Sequence, residues 1–225
     1  MGKVDFVGGL IIGATSLALA AVAVQDPRPL AELSWATMRL AQQAAPSMAE
    51  VRVEGSMGSG WVWDRSGLVV TAAHVVGDHR FATVTIGGVE TPAIVLGADH
   101  DADVAVLRLF VEVAALPLPR AAAPPPIGTL VFALGSPFEL GGSVTLGFSS
   151  EPDDGFLIHT ANLNPGNSGG PLVNAACEVV GMNTQVRIHI WGAGVSKAVP
   201  IAKVKEVVDE LVRDPWQGQA GGLVR

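Results

Sequence analysis

Ser168 lies in Asn164-Pro165-Gly166-Asn167-Ser168-Gly169-Gly170-Pro171-Leu172, a serine held between glycines in a tight turn, and that setting suits an activated nucleophile for acyl transfer. Gly166 and Gly169 admit backbone conformations closed to residues with a Cβ, and they let a substrate carbonyl approach the main chain. Successive N–H groups in such a turn, here those of Gly166, Asn167 and Ser168, form a concavity suited to the charge that develops on a carbonyl oxygen under attack. In that role Asn167 contributes shape and Gly166 the essential N–H. Taken alone, the stretch reads equally well as a Gly/Pro/Asn loop between two strands.

A serine nucleophile needs a general base and a carboxylate to orient it. His74 closes the β-branched run Gly67-Leu68-Val69-Val70-Thr71-Ala72-Ala73-His74-Val75-Val76, which predicts a strand ending near the histidine. Asp103 directly precedes a second strand, Val104-Ala105-Val106-Leu107, and follows the polar turn Ala98-Asp99-His100-Asp101-Ala102. Asp99 and Asp101 compete with Asp103 as the orienting carboxylate, but only Asp103 abuts the strand. Of the five histidines, His79, His100, His159 and His189 read as surface or core residues, and no pair has zinc-ligand spacing. No metal and no cofactor is called for. The chain order His, Asp, Ser matches the chymotrypsin arrangement and neither the subtilisin nor the α/β-hydrolase order.

Along most of its length the chain resembles chymotrypsin-type serine proteases, and within them the HtrA/Deg branch. The matching pieces are Ala45-Pro46-Ser47, Gly58-Ser59-Gly60, Thr71 to Val76, Asp103 to Leu107, Leu134-Gly135-Ser136-Pro137-Phe138, Ser143 to Gly147, Asn164 to Leu172, Gly181-Met182-Asn183-Thr184 and Ala198-Val199-Pro200. Each is weak alone, but in this order they are specific. The resemblance covers roughly Ala44 to Val212. It implies an all-β fold of two six-stranded barrels, with His74, Asp103 and Ser168 as catalytic residues and backbone N–H groups of the Gly166–Ser168 turn as the oxyanion hole. It also implies a primary pocket walled by Asn162 and Leu163 and by the strand near Ser196 and Ala198, with Thr184 beside it. Substrates would be polypeptides, their backbone adding a strand along the edge after Asn183-Thr184. A trimer is one assembly the resemblance allows.

Composition agrees. The 225 residues hold one medium domain or two small lobes, with 49% apolar residues to form a core. The net charge of −7 and the lack of Lys/Arg clusters exclude the electrostatics of a nucleic-acid partner. The single Cys177 excludes an internal disulfide and reads as a small buried thiol in a hairpin turn.

In chain order, Lys3 precedes an apolar run from Phe6 to Val24, near the ~20 residues that span a bilayer. It reads either as a signal peptide with Ala21-Val22-Ala23 at its cleavage site or as an uncleaved membrane anchor; both place the rest outside the cytoplasm. Residues 1–28 thus form the leader and linker, and 29–46 a helix. A protease domain follows over 47–213: barrel one 47–116, a Pro-rich linker 117–126, barrel two 127–200, and an amphipathic helix 200–213 begun by Pro200. Residues 214–225 form a loose tail.

With no acidic residue at the pocket base, a preference for Lys or Arg is disfavoured, and Leu163 favours a small or medium apolar side chain. Lys197 stands where HtrA relatives carry an apolar residue. Strand alternation turns it away from the pocket, whereas a register one residue different puts a cation there. The sequence leaves no room after Arg213 for a PDZ domain, and Ser150 to Gly155 is a short turn where relatives carry a longer loop, so the family's loop-driven activation and peptide sensing do not carry over, and the trimer stays open. A second reading is a protease-shaped binding or chaperone-like protein whose triad is present but not assembled.

Overall fold

The computed structural model of the chain describes residues 28–111, 116–135, 142–187 and 195–215, with side chains except at 185–187. The apolar run Phe6–Val24, Ser136–Phe138, His189 and the tail beyond residue 215 lie outside these residues. Among the described residues no helix is long and apolar enough to cross a membrane.

Two compact units divide the chain, Met1–Arg39 and Leu40–Arg225. In the first, the described part is the opening of helix α1, Arg28–Ala44. The second begins with the end of that helix and a 3-10 turn at Ala45–Ser47, and then carries all the strands.

Six strands close the first barrel: β1 Met48–Val53, β2 Ser56–Val62, β3 Leu68–Thr71, β4 Phe81–Ile86, β5 Val89–Asp99 and β6 Val104–Leu109. Their order is β1-β2-β3-β6-β5-β4, and β4 returns to β1 through Glu50↔Thr85, Val51↔Val84 and Arg52↔Thr83. β3 is buried at every residue, as expected of a short β-branched run enclosed on both faces. The second set is β7 Leu130–Gly135, β8 Ser143–Phe148, β9 Leu157–His159, β10 Pro171–Asn174, β11 Val179–Arg187 and β12 Val195–Pro200. Here the order is β8-β7-β10-β11-β12-β9. The expected second barrel is a curled six-stranded sheet whose ends, among the described residues, meet through an isolated antiparallel bridge, Ser149↔His159, and the Phe148 N–H on the Thr160 hydroxyl.

Where the sequence predicts a strand end at His74, the chain leaves β3 at Ala72 and forms one helical turn, α2 Ala73–Val76, closed by the Gly77 N–H on the Ala73 carbonyl. The small Ala72 and Ala73 permit the sharp change, and Val75 and Val76 turn inward while His74 remains exposed. Helix α3, Ile201–Arg213, starts one residue later than expected, with Pro200 as its cap. Its apolar face, Ile201, Val204, Val207, Val208 and Leu211, is buried, of the order of 2 kcal/mol for each side chain. Gly97 admits this helix: a Cβ there would stand 2.8 Å from Leu211 Cδ2.

Candidate active site

The turn before β6 places Asp103 in the left-handed region at φ 55°, uncommon for a residue with a Cβ, and this aims its carboxylate at α2. Oδ1 accepts the His74 backbone N–H at 2.9 Å, and Oδ2 lies 2.8 Å from His74 Nδ1. The rival Asp99 is otherwise engaged, its Oδ1 accepting the N–H groups of Asp101 and Ala102 within the turn. Thr184, at the end of the regular β11 pairing, donates its hydroxyl to Asp103 Oδ2. Burial pushes the Asp103 carboxyl up, but the hydrogen bonds from the His74 ring, Thr184 and the His74 N–H outweigh it and hold it below the ordinary carboxylate value. The hydrogen bond to Asp103 in turn raises His74 above 6.5 against the opposing effect of burial. Through Nδ1 the carboxylate fixes the tautomer that leaves Nε2 free to accept a proton.

The serine turn is tied to the first barrel. The Ser59 N–H donates to the Ser168 carbonyl at 2.8 Å, Ser59 Oγ donates to the Gly166 carbonyl at 2.6 Å, and Thr71 Oγ1 donates to the Ser59 carbonyl at 2.7 Å. Gly169 is obligatory here: its φ is +85°, and a Cβ would stand 2.2 Å from the Ser59 carbonyl oxygen. Gly166 has φ 98°. The backbone N–H groups of Gly166 and Ser168 take no acceptor among the described residues, as an anion site requires. The Asn167 N–H is different, because it donates to the Asn164 carbonyl at 3.0 Å to close the turn. Asn167 therefore adds no free backbone donor to the concavity expected from Gly166, Asn167 and Ser168. The Ser168 hydroxyl donates to the Thr184 carbonyl at 2.8 Å, and His74 is not its partner in this conformation.

With this geometry in place, comparison with known proteins decides the family. Residues 58–182 match the trypsin-like peptidase domain. The chain belongs to the trypsin-like peptidase family. Its relatives fall in the HtrA/Deg branch: it is 34% identical over 224 residues to Protease Do-like 1, chloroplastic, of Arabidopsis thaliana, covering 86% of this chain and 51% of that one. It is 38% identical over 174 residues to a DegP-like periplasmic serine endoprotease of Brucella suis, covering 70% of this chain and 33% of the relative. The chain thus spans between a third and about half of these relatives. A crystal structure of the serine endoprotease from Yersinia pestis superposes with a TM-score of 0.70 at 34% identity, covering 78% of this chain and 66% of that one. The fold is chymotrypsin-like.

In this member of the family the expected pocket residues separate into two groups. Leu163 packs against an apolar cluster that includes Ala161 and Ala198, and Ser196 is buried with its hydroxyl on the Ala161 carbonyl at 2.8 Å. Asn162 has an exposed side chain, and its carbonyl accepts the Thr145 hydroxyl. Thr184 is not simply a pocket wall, since its side chain serves Asp103 and its carbonyl holds Ser168. Lys197 is turned away from Ser196 and Ala198: Nζ lies 3.7 Å from Asp153 Oδ2 and 4.6 Å from the centroid of the Phe156 ring. Cys177 is buried in the Asn174–Glu178 turn, and burial pushes its thiol pKa up. Sequence reading did not assign Ser59 its part in joining the serine turn to the first barrel. The available signal was a polar residue between Gly58 and Gly60 within a strand.

Proposed function

We propose that this chain is a serine endopeptidase that hydrolyses peptide bonds through an acyl-enzyme, with His74, Asp103 and Ser168 as its catalytic residues. The observation that carries this reading is the His74–Asp103 hydrogen bond, with Nε2 left free, in one fold with a serine turn whose Gly166 and Ser168 N–H groups have no acceptor. In the reaction Ser168 Oγ rotates from the Thr184 carbonyl to His74 Nε2, gives up its proton there and attacks the scissile carbonyl. His74 then protonates the leaving amine, and water reverses the sequence to release the acid. A substrate strand laid along the edge after Asn183-Thr184 brings a backbone N–H to the Thr184 carbonyl, replacing the serine hydroxyl and freeing it to turn. Asp103 stays ionised and stabilises the imidazolium.

The working arrangement is a protease domain over 47–213, with its site between barrel one (47–116) and the second strand set (127–200). Its substrates are extracytoplasmic polypeptides, and Phe6–Val24 is its leader or membrane anchor. Leu163 with Ala161 and Ala198 supports a pocket for a small or medium side chain on an apolar stem. The test is labelling of the full chain with a fluorophosphonate. Stoichiometric labelling that Ser168→Ala and His74→Ala both abolish is expected.

The rival reading, a protease-shaped binding protein, is favoured by the Ser168 hydroxyl resting on Thr184 instead of His74. A folded chain that takes no label, and hydrolyses no unfolded protein substrate, would establish it in place of the enzyme.

A further inference from the structure

His159 is the largest buried polar side chain on the inward face of the second strand set that the catalytic scheme leaves unused. It is 0% exposed, and neither Nδ1 nor Nε2 has a hydrogen-bond partner. Its neighbours are settled by register: β9 pairs with β12 as His159↔Ser196 and Leu157↔Ala198. Residues opposite each other in a ladder share a face, so His159 stands on the same side as Ser196 and Ala198. Ile158 and Lys197, the pair between them, belong to the opposite face, where Lys197 meets Asp153 and Phe156. The chain runs from His159 through Ala161, which accepts the Ser196 hydroxyl, to Asn162 and Leu163. His159 thus lies beneath the proposed pocket walls, among side chains as small as Ala161, Ser196 and Ala198.

Buried polar groups are normally paired, and each one left unpaired costs about 1–3 kcal/mol. The other buried hydroxyls beside His159 are satisfied locally, Ser196 on Ala161 and Ser149 on the Pro126 carbonyl. We propose that His159 forms the floor of the primary pocket and selects a side chain before the cleaved bond that ends in an uncharged hydrogen-bonding group: Thr, Asn or Gln in preference to Val or Leu. This rests on the peptidase reading above and refines it, with apolar walls setting the size of the stem and the imidazole setting the chemistry of its tip. The ring has no exposed surface without substrate, so an entering side chain must part the walls above it to make contact. Burial lowers the His159 pKa to about 4, so near neutral pH the ring is uncharged and offers one donor and one acceptor. Those match a hydroxyl or carboxamide. A carboxylate would require the ring to take up a proton against its desolvation.

The experiment is kcat/KM for the full chain on peptides that vary only at the residue before the cleaved bond, in the near-isosteric pairs Thr/Val and Gln/Met, for wild type, His159→Leu and His159→Gln. A site built to pair a polar tip discriminates against its apolar isostere by about tenfold or more. Wild type is expected to favour Thr and Gln by that factor, His159→Leu to lose or invert the preference, and His159→Gln to retain much of it. An apolar preference in wild type, or a ratio unchanged in a folded His159→Leu, overturns the proposal while leaving the peptidase standing. Absence of any Ser168-dependent cleavage overturns both.

Discussion

The two halves that meet at the proposed catalytic site differ in how completely their polar groups are paired. On the first-barrel side, His74 and Asp103 hold each other through ring and backbone, and Thr184 completes the carboxylate's set of donors. On the other side, the unpaired buried side-chain atoms among the described residues are those of His159, Asn167 and Asn183, all in the second strand set or its serine turn. There the Ser168 hydroxyl, the proposed nucleophile, rests on a backbone carbonyl. The proposed acid–base pair is held in place without substrate, whereas the side of the proposed nucleophile and pocket carries buried groups without a partner. Preorganised charge is most effective when nothing has to move. Groups that discriminate between substrates are most effective when a wrong substrate leaves them unpaired.

Breaking the paired half should have the largest effect. Asp103→Asn presents an amide nitrogen to His74 Nδ1, which shifts the ring proton to Nε2. A fall in kcat of about 10⁴ is expected with the fold intact. In wild type the base is raised above 6.5, so the activity limb should rise through a midpoint above that value, because His74 must lose its proton before it can accept one from Ser168. In Asp103→Asn the midpoint of the residual activity should move down. A wild-type rate that is flat from mildly acid to mildly alkaline pH would remove His74 from the role of base.

Acid should strain the unpaired half next. The folded His159 pKa of about 4 lies below the unfolded 6.5, so this residue's contribution to stability is complete above 6.5 and is lost as pH falls toward 4. The loss is about 3 kcal/mol. Denaturant titrations of wild type and His159→Leu at pH 7 and pH 4.5 should show a decline that the variant lacks. Equal declines would mean that His159 is solvated in the native state.

The smallest effect joins the two halves. Thr184→Val removes one charge-assisted hydrogen bond from Asp103 and leaves the backbone carbonyl in place. A loss of about tenfold in kcat with KM nearly unchanged is expected. A loss confined to KM would make Thr184 a substrate contact instead of a support for the carboxylate.

Much of this protein is legible in its sequence, because local chemistry determines it. The β-branched runs that become β3 and β6, the glycines around Ser168 and the one-sided apolar pattern of α3 each carry their instruction within a few residues. The order of His74, Asp103 and Ser168 could likewise be read directly. What could not be read depends on partners far apart in the chain. The sequence alone did not reveal Thr184 donating to a carboxylate 81 residues away, or Ser59 reaching the Gly166 carbonyl across 107. Nor did it reveal that the Asn167 N–H closes its own turn while its neighbours' remain free. The register that turns Lys197 toward Asp153 and places His159 beside Ser196 is a property of strand pairing. A slip of one residue would exchange their faces. Sequence determined which groups are present and the local shapes that carry them; tertiary structure decided which of them are paired, because a hydrogen bond depends on positions in space and on how burial limits the alternatives.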